Sequence, residues 1–189
     1  MKWTEEHQSI RAITAKFVDN EINPYVDQWE EDGIFPAHEL FKKLGNLGML
    51  GISKPEKYGG LGLDYSYSLV FAEEMGRVHG AGVSTGIGVQ TDMATPALAK
   101  FGSEDLCNEF LVPAITGDAV FSIAVSEPSA GSDVASIKTS AEKSGEDYVI
   151  NGTKMWITNS IQADYFCVLV NTSEGPRHKN KSLIIVPSD

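Results

Sequence analysis

Residues 117–133 read Gly117-Asp118-Ala119-Val120-Phe121-Ser122-Ile123-Ala124-Val125-Ser126-Glu127-Pro128-Ser129-Ala130-Gly131-Ser132-Asp133. Before this stretch apolar residues recur every three or four positions. Within it Val120, Ser122 and Ala124 alternate with Phe121, Ile123 and Val125, which is the two-residue period of a strand. The strand ends at Ser126, where Pro128 and Gly131 force a turn. This change of period predicts an α+β fold. An α-helical domain over 1–118 is followed by an antiparallel β-sheet or barrel domain over 119–189. Charge divides at the same place: residues 1–118 carry 9 basic and 18 acidic groups, residues 119–189 carry 6 and 8.

Upstream, Thr4 is a plausible cap for a helix with Ile10, Ile13, Phe17 and Ile22 on one face. Pro24 interrupts it, and a short segment with Tyr25 and Trp29 ends near Gly33. Pro36 opens a helix with the stripe Leu40, Phe41, Leu44 and Leu47. A loop from Pro55 to Asp64 follows, and Asp64 caps a helix through Leu69, Val70 and Met75 to about His79. Residues 81–98 are rich in small residues, so a helix there needs close packing to persist. Ser103 caps the last helix, which carries Leu106, Phe110 and Leu111 and ends at Gly117.

Downstream, Tyr148-Val149-Ile150, then Asn151-Gly152, then Lys154-Met155-Trp156-Ile157-Thr158 predicts a β-hairpin turning at Asn151-Gly152. Tyr165–Val170 and Leu183–Val186 are further strands. The β unit holds only about 70 residues. It is either a small open sheet with exposed edges or the front of a longer domain.

The chain has 189 residues, a net charge of −11 and 42% hydrophobic residues. Ordinary globular composition excludes disorder, and the acidic balance argues against a generic nucleic-acid binder. No apolar run reaches membrane-spanning length. The acidic, polar start is expected to be neither a signal nor a transit peptide, so secretion is not expected. Two cysteines, Cys107 and Cys167, and four scattered histidines form no metal-ligand spacing, so no metal site is expected.

Two segments can carry chemistry. The turn from Ser126 to Asp133 offers backbone N–H groups and hydroxyls that can hold an anion such as a pyrophosphate. It is also readable as a surface turn whose Ser and Asp side chains cap their own backbone. In Met155-Trp156-Ile157-Thr158, Trp156 offers a flat face for an aromatic ring. Thr158, two residues on along a strand, would point to the same side. The alternative is a core tryptophan on a half-buried strand. Glu73-Glu74 is not a proton-sharing dyad, because adjacent helical residues diverge by about 100°.

Together, Val125–Asp133, Lys138-Thr139-Ser140-Ala141 and Asn151–Asn159 resemble the acyl-CoA dehydrogenase family. Leu47-Gly48-Met49, Tyr58-Gly59-Gly60-Leu61-Gly62 and Phe101-Gly102-Ser103 match further landmarks in the same order, so the resemblance covers nearly the whole chain. It implies FAD as cofactor and dehydrogenation of acyl-CoA thioesters to enoyl-CoA, with electrons passing to an electron-transfer flavoprotein. Ile123, Val125, Ser126, Trp156, Ile157 and Thr158 would meet the flavin ring, Ser126 standing where many relatives have threonine. Gly131 and Ser132 would meet the pyrophosphate, and Ser132 also the acyl-CoA. Gly82, Gly86 and Gly88 would leave room for an acyl chain. The family's catalytic glutamate lies in a carboxyl-terminal helical bundle beyond residue 189, so residues 1–189 alone are expected to be inactive. Glu127 is not that base. The resemblance also implies a homo-oligomer, a dimer or tetramer, located in the cytoplasm of a bacterium or the mitochondrial matrix of a eukaryote. Other readings are a truncated, non-enzymatic binding module, or a related acyl-CoA oxidase or nitroalkane oxidase.

Overall fold

A computed structural model describes residues 3–188. The chain divides into two compact units, Met1–Val120 and Phe121–Asp189.

The first unit is helical. Helix α1 (Glu5–Phe17) starts at Thr4, whose side chain accepts from the His7 N–H while the His7 ring accepts from the Thr4 N–H. This closes a capping box with histidine as the third helical residue. His7, Ile10, Thr14 and Phe17 form its buried stripe, whereas Ile13 faces solvent. A π-helical turn, Val18–Ile22, carries the helix on. α2 (Val26–Asp32) ends as expected at Gly33, with φ 71°. α3 (Ala37–Asn46) buries Ala37, Leu40, Phe41 and Leu44, and Leu47 is exposed. α4 (Tyr65–Met75) is capped by Asp64, which accepts from the Ser66 N–H at 2.8 Å. It stops at Gly76, short of the expected His79.

The small-residue stretch forms α5 (Ala81–Gly88), a π turn Val89–Ala94, and α6 (Pro96–Phe101) with Pro96 in its first turn. From the Ser103 cap, α7 (Glu104–Leu106), a π turn Cys107–Leu111 and α8 (Val112–Thr116) run in succession to Gly117. α3 and α8 approach closely at two glycines. A Cβ on Gly45 would lie 2.2 Å from the Thr116 carbonyl oxygen, and one on Gly117 would lie 2.1 Å from that of Phe41. Gly117 also has φ 73°, a conformation side chains disfavour.

The second unit is one mixed sheet: β1 (Phe121–Ala124), β2 (Ser140–Ser144), β3 (Asp147–Asn151), β4 (Tyr165–Asn171) and β5 (Lys181–Pro187). β4 is the shared strand. β5 runs antiparallel along its whole length, β1 runs parallel beside Tyr165–Val168, and β2 joins it in parallel at Ser140–Asn171. The α+β class stands, but the sheet is mixed rather than purely antiparallel. Ala124, Ala141, Val168 and Val170 form its core, with Ile150, Ile157, Phe166, Ile184 and Val186 packed against them.

The hairpin is displaced from its expected place. β2 and β3 pair antiparallel around Gly145-Glu146, and Gly145 (φ 67°) supplies the left-handed residue. Asn151-Gly152 instead ends β3. A Cβ on Gly152 would lie 2.3 Å from Thr139 Oγ1, so this glycine serves close approach rather than a turn. Lys154–Thr158 is not a strand. Its polar groups bond to residues 122–127 instead.

Candidate functional site

The two segments singled out from sequence lie side by side in the second unit. The Met155 N–H donates to the Ser126 carbonyl at 2.9 Å. Lys154 Nζ donates to the Val125 carbonyl at 2.9 Å and to Glu127 Oε1 at 3.0 Å. Ser122 Oγ donates to the Thr158 carbonyl at 2.7 Å. The end of β1 is thus stitched to residues 154–158, which therefore do not form a strand of their own.

Glu127 is the centre of the stitching. Besides Lys154 it accepts from the Lys138 N–H at 2.7 Å, the Thr139 N–H at 2.9 Å and Thr139 Oγ1 at 2.5 Å. Burial works against its charge. The Thr139 hydroxyl, the two amides and the Lys154 ammonium outweigh that, and hold the carboxyl at about 2 against an ordinary 4.5. Glu127 is therefore an ionised anchor at neutral pH, its carboxylate taken up by these donors. Its N–H and carbonyl also bond Ala130, closing the tight turn 127–130.

That turn lifts the next residues outward. Pro128, Ser129, Gly131 and Ser132 are exposed, and a Cβ on Gly131 would meet nothing within 4 Å. Val125 and Ser126 are half-buried at the strand end. Ile123 is half-buried within β1, opposite Cys167.

Trp156 is not a core residue. It is 87% exposed, and its φ of 62° places a bulky side chain in the left-handed region. Such a residue costs on the order of 1–3 kcal/mol and tends to occur where a ligand is held. Trp156 and Ile157 line a groove of about 360 Å³ with Ala124, Phe166, Val168 and Val186, and with Lys154 and Ser160 as its polar members. An exposed indole beside a mostly apolar floor suits a flat aromatic ring, and the outward turn at 129–132 suits an anion. Thr158 is half-buried in the turn that follows, so its relation to Trp156 is set by that turn and not by strand alternation.

The structure thus brings Val125, Ser126, Trp156, Ile157 and Thr158 into one stitched assembly, and carries Gly131 and Ser132 on the adjoining exposed turn. Sequence reasoning missed Glu127 and Lys154 as its fasteners. The available signal was one acid, Glu127, directly after the strand end and one lysine, Lys154, in the second motif. In the first unit, Gly88 lines a groove beside α5, whereas Gly82 is exposed and Gly86 is buried.

Residues 4–118 match the family model "Acyl-CoA dehydrogenase, N-terminal domain", and residues 122–189 match "Acyl-CoA dehydrogenase, middle domain". The chain belongs to the acyl-CoA dehydrogenase family. It is 38% identical over 169 residues to mitochondrial isovaleryl-CoA dehydrogenase of Bos taurus, covering 89% of this chain and 39% of that protein. The crystal structure of acyl-CoA dehydrogenase from Geobacillus kaustophilus superposes with a TM-score of 0.92 at 40% identity, covering 99% of this chain and 49% of that one. Acyl-CoA dehydrogenase complexed with FAD from Bacillus anthracis gives 0.90 at 34% identity, covering 100% of this chain and 32% of that one. The chain therefore spans less than half the length of these proteins.

Proposed function

We propose that this chain forms the amino-terminal and flavin-binding part of an FAD-dependent acyl-CoA dehydrogenase, which converts acyl-CoA thioesters to enoyl-CoA. Residues 1–118 are its helical domain and 119–189 the front of its middle β domain. The observation that carries this reading is the stitching of Ser126 to Met155 and of Val125 and Glu127 to Lys154. It sets an outward-facing Trp156 beside a mostly apolar groove. These residues fit an isoalloxazine ring, and membership of the family supports FAD as the group bound.

When bound, FAD supplies an acceptor for two electrons from the thioester. The chain's own part is to bind and orient. Trp156, Ile157, Thr158, Ile123, Val125 and Ser126 would hold the ring. Gly131 and Ser132 would donate to the pyrophosphate, and Ser132 also to the acyl-CoA. The groove beside α5, where Gly88 has no side chain, would receive the acyl group. The proton next to the thioester would be taken by a carboxylate supplied from outside residues 1–189. Electrons would pass to an electron-transfer flavoprotein, and the working unit would be a homo-oligomer. The compartment would be the cytoplasm of a bacterium or the mitochondrial matrix. No helix among the described residues is long and apolar enough to cross a membrane.

The test is anaerobic mixing of the FAD-loaded full-length protein with a panel of acyl-CoA thioesters. Bleaching of the flavin absorbance with formation of enoyl-CoA is expected, with slow reoxidation by air. Rapid reoxidation by oxygen would move the assignment to an oxidase. Absence of bleaching with every thioester would overturn it.

A further inference from the structure

Among the described residues lining the groove beside Trp156, Lys154 alone carries a charge. Its side chain is only 11% exposed. Two hydrogen bonds fix its Nζ, to the Val125 carbonyl at 2.9 Å and to Glu127 Oε1 at 3.0 Å. Both acceptors follow directly on β1, so the ammonium is held by the same strand end that carries Ser126.

Its partner is placed differently. The Glu127 side chain is 4% exposed and is not among the residues lining the groove. Its carboxylate accepts three further hydrogen bonds, from the Lys138 and Thr139 amides and the Thr139 hydroxyl. The ion pair is thus a dipole with its positive end at the groove and its negative end among buried donors. Little water reaches either group, and most of the groove floor is apolar, so the field of that positive end is weakly screened.

A flavin ring that takes up two electrons and one proton gains one unit of negative charge. In the reading above, both electrons and that proton come from the thioester. Its other proton goes to the carboxylate outside residues 1–189. A fixed cation beside the ring favours the charged product over the neutral starting ring, and charge near the ring is one means by which a protein tunes a flavin.

Resting on the FAD reading above, we propose that Lys154 raises the reduction potential of the flavin, by keeping the groove's one positive charge beside the ring while Glu127 is held out of the groove. Lys154 acts through its field and neither gives nor takes a proton in the reaction.

The test is the two-electron reduction potential of the FAD-loaded full-length protein, measured at neutral pH against reference dyes and without thioester. In K154M the ratio of reduced to oxidised flavin at a given potential should fall about tenfold, a downward shift of about 30 mV. E127Q removes the negative end of the dipole and leaves the cation, so its potential should move upward. K154R keeps the charge and should stay close to wild type. These signs separate a field from a fastening. K154M and E127Q both cut the same ion pair, so a site that was merely loosened would shift alike in the two. An unchanged potential in K154M, or shifts of one sign in K154M and E127Q, would overturn the proposal and leave the flavin assignment intact. A K154R potential as low as that of K154M would overturn it too. Should K154M fail to hold FAD, E127Q decides alone, and an unchanged or lowered potential there overturns the proposal. A wild type that takes up no FAD would overturn both readings.

Discussion

Replacing Glu127 by Gln keeps the shape of the anchor and removes its charge. The folded-state carboxyl sits at about 2 against an ordinary 4.5. At about 1.4 kcal/mol per pH unit, that difference corresponds to about 3 kcal/mol of stability at neutral pH. The mutation also leaves the Lys154 ammonium, 11% exposed, with the Val125 carbonyl in place of an ion pair. Breaking such a pair from one side typically costs about 3–5 kcal/mol, the same order. The sign of the pH dependence follows from the lowered value. The contribution is fully present above about 4.5 and is lost as the pH falls toward 2. In the full-length protein, hydrogen exchange at the Lys138 and Thr139 amides, which donate to Glu127, should therefore be accelerated about a hundredfold in E127Q at neutral pH. The difference from wild type should shrink as the pH falls below about 4.5. The double variant E127Q/K154M, which removes the stranded ammonium, should recover part of the protection. Unchanged exchange at both amides in E127Q would refute the view of Glu127 as the anchor of the site.

Other expectations concern separate parts of the chain. The His7 ring bonds the Thr4 N–H through Nδ1, and its Nε2 lies 2.8 Å from Ser66 Oγ. H7A removes the links between the α1 and α4 starts and should lower unfolding stability by about 2 kcal/mol, read from the denaturant midpoint. G117A places a Cβ against the Phe41 carbonyl at a positive φ and should lower the thermal midpoint sharply, by about 2–3 kcal/mol or more in free-energy terms. Burial pushes the Cys167 thiol up to about 11, so it should resist alkylation at pH 8 until the protein is unfolded, as mass spectrometry can follow.

The helical unit was largely legible because its signals are local. The Thr4, Asp64 and Ser103 caps, the Leu40-Phe41-Leu44 stripe and the stops at Gly33 and Gly117 depend on neighbours a few residues away. The π turns were not legible, since an inserted residue leaves the apolar period almost unchanged. In the sheet unit, β1, β4 and β5 were visible as alternating or apolar runs. The Asn151-Gly152 hairpin was misplaced because turn propensity was overridden by a tertiary contact, the close approach of Gly152 to Thr139. Residues 154–158 have strand-like composition, but their polar groups are claimed by Val125, Ser126 and Glu127, some 30 positions earlier, and Trp156 breaks the extended path. Motif identity pointed to the right side chains. Their arrangement depends on long-range hydrogen bonds that no periodicity records.

The central claim is that Trp156 is held outward, at a strained backbone angle, to receive a flavin. Equilibrium titration of FAD into the full-length apoprotein, compared among wild type, W156A and T158V, tests it most directly. The wild type should bind one FAD per chain. W156A should bind more weakly by roughly three- to tenfold, matching an aromatic contact of about 0.5–1.5 kcal/mol, with its thermal stability little changed because the side chain is exposed in the absence of ligand. T158V should lose about 1 kcal/mol of affinity or shift the flavin spectrum or potential. No FAD binding by the wild type, or affinities, spectra and potentials identical in all three proteins, would contradict the account.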